Sequence, residues 1–93
     1  MDLQELRAEI DKIDEKLIRL INERMDISEK VAIYKKQHDL PILDPVREQE
    51  ILDKISSKAG NKHKSSVIEL YALLFKLSRA KQGESATDGN RKE

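Results

Sequence analysis

Apolar residues recur every three or four positions over the first third of the chain. They are Leu3, Leu6, Ile10, Ile13, Leu17 and Leu20, followed by Ile27, Val31 and Tyr34. Alternating steps of three and four place these residues along one face of a helix, the pattern typical of helices that pack lengthwise against each other. Because no glycine or proline precedes Pro41, the pattern predicts one helix of roughly 35 residues, about 50 Å long at ~1.5 Å per residue.

A break and a second helix follow. Pro41 disfavours helix at the residue before it and has no amide donor. Asp44 and Pro45 then match the preferred N-cap and first helical residue. The sequence predicts a second helix from Pro45 to about Ser57.

The last part of the chain has one more helical pattern. Residues 56–64, which contain Gly60, are predicted to form a loop. Ser66 and Glu69 match a capping box that opens a third helix, which is expected to end near Gln82. The polar residues 83–93 are predicted to be a disordered tail, or a linker to a further domain.

Length and composition narrow the class of protein. A chain of 93 residues forms at most one small domain, and a monomer of this size cannot cover a ~50 Å helix. We therefore expect an all-α fold of one long and two shorter helices, over residues 1–82, with a second chain covering the long helix.

Charge and missing residue types exclude several functions. Eighteen basic residues balance eighteen acidic ones, so no nucleic acid or anionic membrane is expected as a partner. The absence of cysteine excludes a disulfide scaffold, a thiol nucleophile and a cysteine-ligated metal. The sequence has no secretory signal and no apolar run near the roughly 20 residues that span a bilayer, so the expected location is the cytoplasm.

Two cations interrupt the apolar face of the first helix. Arg24 occupies a position where the spacing predicts an apolar residue, and Lys35 follows it by eleven residues. Eleven residues make about three turns, so both side chains point the same way, ~16 Å apart along the axis. They could converge on a small anion. The alternative is that they extend to solvent or fix the register of packing helices.

Weaker signals lie elsewhere. Ser78 and Gln82 continue the apolar stripe of the third helix with neutral polar groups, although a helix that becomes polar toward its end would look the same. At the start of the second helix, offsets of three, four and seven residues place on one face Asp44, Arg47, Glu48 and Ile51, which also fits an ordinary capped first turn. Arg7 lies ~25 Å from Arg24 along a straight helix, so the two could share a small ligand only across a dimer. By itself Arg7 is better explained as a solvated residue.

Together these segments resemble the all-helical class of chorismate mutases. The resemblance covers about residues 3–82 and rests on Leu6 to Asp14, Asn22-Glu23-Arg24-Met25, Val31 to Lys36, Asp44-Pro45-Val46-Arg47-Glu48, Ser78 and Gln82. It implies an intertwined homodimer of three-helix chains that converts chorismate to prephenate by a pericyclic rearrangement, without a metal or cofactor, in phenylalanine and tyrosine biosynthesis. The chain would be a free enzyme or the mutase domain of a bifunctional one.

The resemblance also implies roles for individual residues. Arg24 would bind one substrate carboxylate and Arg7 of the partner chain the other. Lys35 and Gln82 would bind the ether oxygen, and Glu48 the hydroxyl, assisted by the backbone at Asp44. Arg47 and Ser78 would make supporting polar contacts. The apolar wall would consist of Val31, Ile51 and Phe75. The family more usually has an aliphatic residue at the position of Phe75, so the wall departs from the family pattern there; no role is assigned to Arg79 or Lys81.

Two alternatives remain open on sequence grounds. One keeps the fold and changes the reaction to that of an isochorismate-pyruvate lyase, although the Arg47-Glu48 pair favours the mutase. The other is a helical dimerisation module without activity, whose charges only set the register of the helices. This second alternative predicts a dimer with no affinity for dicarboxylates.

Overall fold

Three α-helices make up the fold. A computed structural model describes the backbone of residues 1–91 and the side chains of residues 1–83. The helices are α1, Leu3–Gln37, α2, Pro45–Lys58, and α3, Gly60–Arg91. No strand occurs in residues 1–91, which confirms the all-α class.

Helix α1 has the length that the apolar pattern predicts, 35 residues. The Asp2 carboxylate caps its first turn by accepting a hydrogen bond from the Glu5 amide at 2.8 Å. Lys35 and Lys36 lie in its last turn, where their charges complement the negative end of the helix dipole. Asp39, with φ of 53°, changes the direction of the chain after the helix. The Leu40 amide then donates a hydrogen bond to the Lys35 carbonyl at 2.8 Å.

Helix α2 begins as predicted. The Asp44 side chain accepts a hydrogen bond from the Arg47 amide at 3.0 Å, and Pro45 occupies the first helical position. The cap fixes the direction of the first turn, in which both Arg47 and Glu48 lie. The cap and the proline therefore fix the positions of these two charged residues at the start of α2.

The predicted loop over residues 56–64 is wrong. Helix α2 continues to Lys58, Ala59 alone separates the helices, and α3 begins at Gly60, so the predicted capping box at Ser66 lies inside a helix. Gly60 has φ of +73°, and a Cβ built on it would meet nothing within 4 Å. Glycine is needed here for its backbone conformation, which turns the chain in one residue.

The other end of α3 also extends beyond the prediction. The helical backbone continues past Gln82 to Arg91. The side chains after Gly83, and residues 92 and 93 altogether, lie outside the described residues. The division into a domain over residues 1–82 and a disordered tail over 83–93 stays a prediction.

Helix α3 packs against both α1 and α2, which leaves much of α1 uncovered. The molecule measures 57 × 28 × 14 Å, with a radius of gyration of 16.8 Å against the roughly 12 Å of a compact domain of this length. Within residues 1–83 the buried apolar side chains are Ala32 and Phe75. The six apolar residues from Leu3 to Leu20 that form the predicted stripe are all exposed, by 43 to 59%.

In the part of the chain that the structure describes, no helix contains a stretch long and apolar enough to cross a bilayer.

Candidate active site

All three helices and the loop between α1 and α2 contribute to one pocket of about 340 Å³. Ten of the eleven site residues predicted from the sequence line it: Arg24, Val31, Lys35, Asp44, Arg47, Glu48, Ile51, Phe75, Ser78 and Gln82. The fold thus brings together side chains that lie up to 58 positions apart in the sequence, since the first is residue 24 and the last residue 82.

Arg24 of α1 reaches across to α3. Its guanidinium Nη1 donates a hydrogen bond to Ser78 Oγ. Ser78 is buried whereas Arg24 is half-buried, so the hydroxyl holds one edge of a guanidinium that still faces the pocket. A guanidinium has five N–H donors in a fixed planar fork, and the others are available to an anionic group.

Lys35 makes two hydrogen bonds at the other end of the pocket. Its Nζ donates to the Ile42 carbonyl at 2.7 Å and to Gln82 Oε1 at 3.2 Å. The first bond ties the ammonium to the loop before α2, and the second ties it to a buried amide on α3. Because an ammonium has three N–H groups, one remains for a ligand in the pocket.

The first turn of α2 supplies both signs of charge. Arg47 is exposed and Glu48 is half-buried. Glu48 Oε2 accepts a charged hydrogen bond from Arg79 Nη1, which extends from α3. The Asp44 carboxylate is occupied by its cap on α2.

Apolar side chains close the pocket between these polar groups. Phe75 is the most buried of them, with 6% of its surface exposed, and packs edge-on against Tyr71 with ring centroids 6.1 Å apart. Val31 and Ile51 lie in the wall as predicted. The aromatic ring of Phe75 is therefore part of the wall.

Arg7 does not line this pocket. It is exposed on the free part of α1, seventeen residues before Arg24 and ~25 Å away along the helix. Its predicted role in the site of a partner chain stays a prediction.

Four lining residues were not predicted, namely Ile27, Ser28, Ile42 and Arg79. Ile27 and Ser28 lie one turn after Arg24, so helical periodicity could have identified them. Ile42 contributes its backbone carbonyl, which accepts a hydrogen bond from Lys35. The pattern of side chains in the sequence cannot indicate a backbone acceptor. Arg79 pairs with Glu48, 31 positions away, and only the packing of α3 on α2 reveals this.

The charges of the lining favour an anion with two negative charges. Cations outnumber carboxylates by two, with Arg24, Lys35, Arg47 and Arg79 against Asp44 and Glu48. Such charges interact more strongly in a partly dry pocket than in water. Among the described residues, no group of three or more His, Cys, Asp or Glu side chains could hold a metal ion.

Comparison with known proteins identifies the family. The family model for chorismate mutase type II matches residues 6–83, a range that contains every predicted site residue. The chain belongs to the chorismate mutase type II family. This family consists of enzymes, so the predicted family and the prediction of an enzyme are confirmed at that level.

Individual relatives differ in length and in name. A chorismate mutase of Methanocaldococcus jannaschii is 38% identical over 82 residues, which cover 86% of this chain and 83% of that protein. A bifunctional chorismate mutase/prephenate dehydratase of Aquifex aeolicus is 48% identical over 54 residues, 58% of this chain but 15% of the longer protein. A 4-amino-4-deoxychorismate mutase of Streptomyces venezuelae is 31% identical over 76 residues, 80% of this chain and 74% of that protein.

Proposed function

We propose that this chain catalyses the rearrangement of chorismate to prephenate in the synthesis of phenylalanine and tyrosine. The observation that carries the proposal is the pocket, in which Lys35 and Gln82 are hydrogen-bonded to each other beside Arg24 and Glu48. Its excess of two positive charges suits a dicarboxylate. Membership of the family supplies the reaction.

Arg24 binds one carboxylate of the substrate. Ser78 fixes one edge of its guanidinium, so less side-chain entropy is lost on binding than for a freely rotating arginine. The remaining donors form the planar fork that matches a carboxylate. Arg47, exposed at the pocket rim, makes a supporting contact.

Lys35 and Gln82 act together on the ether oxygen, where negative charge grows as the bond breaks. Gln82 uses Oε1 to accept from Lys35, which leaves its Nε2 group to donate. Lys35 uses two of its three N–H groups to bond Ile42 and Gln82, which leaves the third to donate as well. Two donors already in place stabilise the developing charge without reorganisation, the effect for which one donor typically contributes ~10²–10³ in rate.

Glu48 accepts a hydrogen bond from the substrate hydroxyl, near the backbone of Asp44. Val31, Ile51 and Phe75 enclose the ring and favour the compact, reactive conformer. An intramolecular rearrangement needs no nucleophile, and holding this conformer beside fixed positive charge lowers its barrier.

We also propose that the active form is a homodimer with two sites, each completed by Arg7 of the other chain. The exposed apolar stripe from Leu3 to Leu20 is far larger than the isolated apolar positions of a monomer surface. A second pocket of about 520 Å³ adjoins the first and shares with it Arg24, Arg47 and Ile51. A partner's α1 lying in this second pocket would bring its Arg7 to the edge of the site.

The second pocket is suited to that end of α1 by charge. Lys54 and Lys58 line it, whereas the N-cap of α1 is Asp2 and its first turn carries Glu5. Opposite charges would therefore face each other when the N-terminal end of a partner's α1 occupies the pocket. This complementarity favours the N-terminal end of a partner's α1 as the occupant of the pocket.

The test is direct. The purified chain is incubated separately with chorismate and isochorismate, and products are identified by proton NMR while sedimentation measures the oligomer. We expect prephenate from chorismate and a dimer. Release of pyruvate from isochorismate in place of prephenate formation would identify the lyase, and a dimer without turnover or dicarboxylate binding would identify the dimerisation module.

A further inference from the structure

The pair formed by Glu48 and Arg79 is not explained by the roles proposed so far. Both residues line the pocket, and their side chains are 25% and 34% exposed. The pair joins the first turn of α2 to α3, one residue after Ser78. It therefore links the carboxylate proposed to bind the hydroxyl with the helix that carries Ser78 and Gln82.

We propose that Arg79 is a positioning and specificity residue, which selects a substrate with a hydroxyl over one with an ammonium group at the same place. This inference rests on the proposed function, and in particular on Glu48 binding the hydroxyl. Arg79 engages Glu48 through Oε2, so the other carboxylate oxygen, Oε1, is the one presented to the substrate. Oε1 keeps its lone pairs to accept a hydrogen bond from the substrate hydroxyl.

The charge of Arg79 decides between the two groups. An aliphatic amine is protonated near neutral pH, and a lone carboxylate would attract it strongly. With Arg79 against Glu48 that attraction is largely offset, and Arg24, Lys35 and Arg47 add further repulsion. A neutral hydroxyl is little affected by this field, so the pair disfavours the ammonium selectively.

The name of one relative identifies a substrate that can test this selection. The Streptomyces venezuelae protein is a 4-amino-4-deoxychorismate mutase, whose name describes a substrate with an amino group in place of the hydroxyl. Chorismate and its 4-amino analogue thus differ at the group that Glu48 and Arg79 face in our proposal. The ratio of kcat/KM for the two substrates measures the selection directly.

The experiment compares the wild-type chain with Arg79→Ala, Arg79→Gln and Arg79→Lys on both substrates. We expect Arg79→Ala to lower kcat/KM for chorismate about tenfold and to shift the ratio at least about tenfold toward the amine. Arg79→Gln, which keeps a donor without the charge, should shift the ratio similarly with a smaller loss on chorismate. Arg79→Lys should keep the wild-type ratio, as should Lys76→Ala, an exposed cation on the same helix outside the pocket.

Each outcome bears on the inference. An equal fall on both substrates in Arg79→Ala and Arg79→Gln would mean that Arg79 acts only through stability, and would overturn it. If Arg79→Ala fails to fold by circular dichroism, the ratio measured with Arg79→Gln decides. Absence of turnover of chorismate by the wild-type chain is a different result, because it refutes the proposed function itself.

Discussion

Lys35 and Gln82 are 47 positions apart in the chain, and Lys35 Nζ lies 3.2 Å from Gln82 Oε1. The bond connects the last turn of α1 to α3. Neither residue is paired with a carboxylate in this contact, so the positive charge of Lys35 is not neutralised. A cation held by neutral acceptors is suited to stabilise charge that appears only during a reaction.

Replacing Lys35 by alanine should abolish most of the activity and leave the fold intact. Lys35→Ala removes the charge and one donor at the ether oxygen, so kcat is expected to fall at least ~10²-fold. Helicity and dimerisation should stay unchanged, because the side chain is half-buried in the pocket and lies beyond the exposed stripe from Leu3 to Leu20. Lys30→Ala, an exposed lysine on the same helix, is the control. Turnover like the wild type in Lys35→Ala would refute the assignment.

Loss of the Ser78 hydroxyl should weaken substrate binding moderately. Ser78→Ala removes the acceptor that holds the Arg24 guanidinium, and a hydrogen bond of this kind contributes about 1 kcal/mol. We expect KM for chorismate to rise about 3- to 10-fold while kcat changes less. Ser57→Ala is the matched control, because Ser57 bonds only within α2, to the Lys54 carbonyl at 2.8 Å. An unchanged KM would show that Arg24 is positioned without Ser78.

Mixing inactive variants tests the sharing of Arg7 between chains. Arg7→Ala and Lys35→Ala chains are unfolded together, refolded as a mixture and assayed. Random pairing makes half of the dimers mixed, and each mixed dimer has one intact site of two, so activity should recover to roughly a quarter of the wild-type value.

The matched control for this mixture combines Arg24→Ala with Lys35→Ala. Both changes affect residues that a site takes from its own chain, so no mixed dimer has an intact site and activity should stay low. Equal recovery in the two mixtures, or none in the first, would contradict the donation of Arg7 across the dimer.

Two glycines allow a paired test of the turn between α2 and α3. Gly60→Ala forces a Cβ into the left-handed region at φ +73°, which should lower the free energy of unfolding by about 1–2 kcal/mol. Gly83→Ala lies inside α3, and its Cβ would meet nothing within 4 Å, so it should raise stability by roughly 0.5–1 kcal/mol. Urea titration of both variants measures the opposite signs. A destabilised Gly83→Ala or an unaffected Gly60→Ala would contradict this account of the turn.

The sequence predicted helices well where a long apolar pattern repeats or a capping residue marks the start, and poorly at the short turn between α2 and α3. Nine apolar positions determine α1, and a single cap, Asp44, determines the start of α2. The turn at Gly60 was missed because a polar, glycine-containing segment looks like a loop, whereas the actual break is one residue long. Residues 61–66 are nearly all exposed, so helix there continues from the packed part of α3, where each added residue forms one more backbone hydrogen bond.

The site was predictable to different depths. Helical periodicity alone aligned Arg24 with Lys35, and both do line one pocket. The contributions of α2 and α3 came from the family resemblance, because no local rule brings Glu48 beside Gln82. Neither periodicity nor the resemblance identified Arg79, because its partner Glu48 lies on another helix. Such a contact depends on how α3 packs against α2.

The bond from Lys35 to Ile42 uses a main-chain oxygen. Substitution of the Ile42 side chain cannot delete that acceptor, so position 42 can drift during evolution while the ammonium keeps its anchor. Gln82 offers no such freedom, because its contribution is made by the side chain itself. Of the two supports for Lys35, one is therefore protected by the geometry of the backbone and the other only by selection.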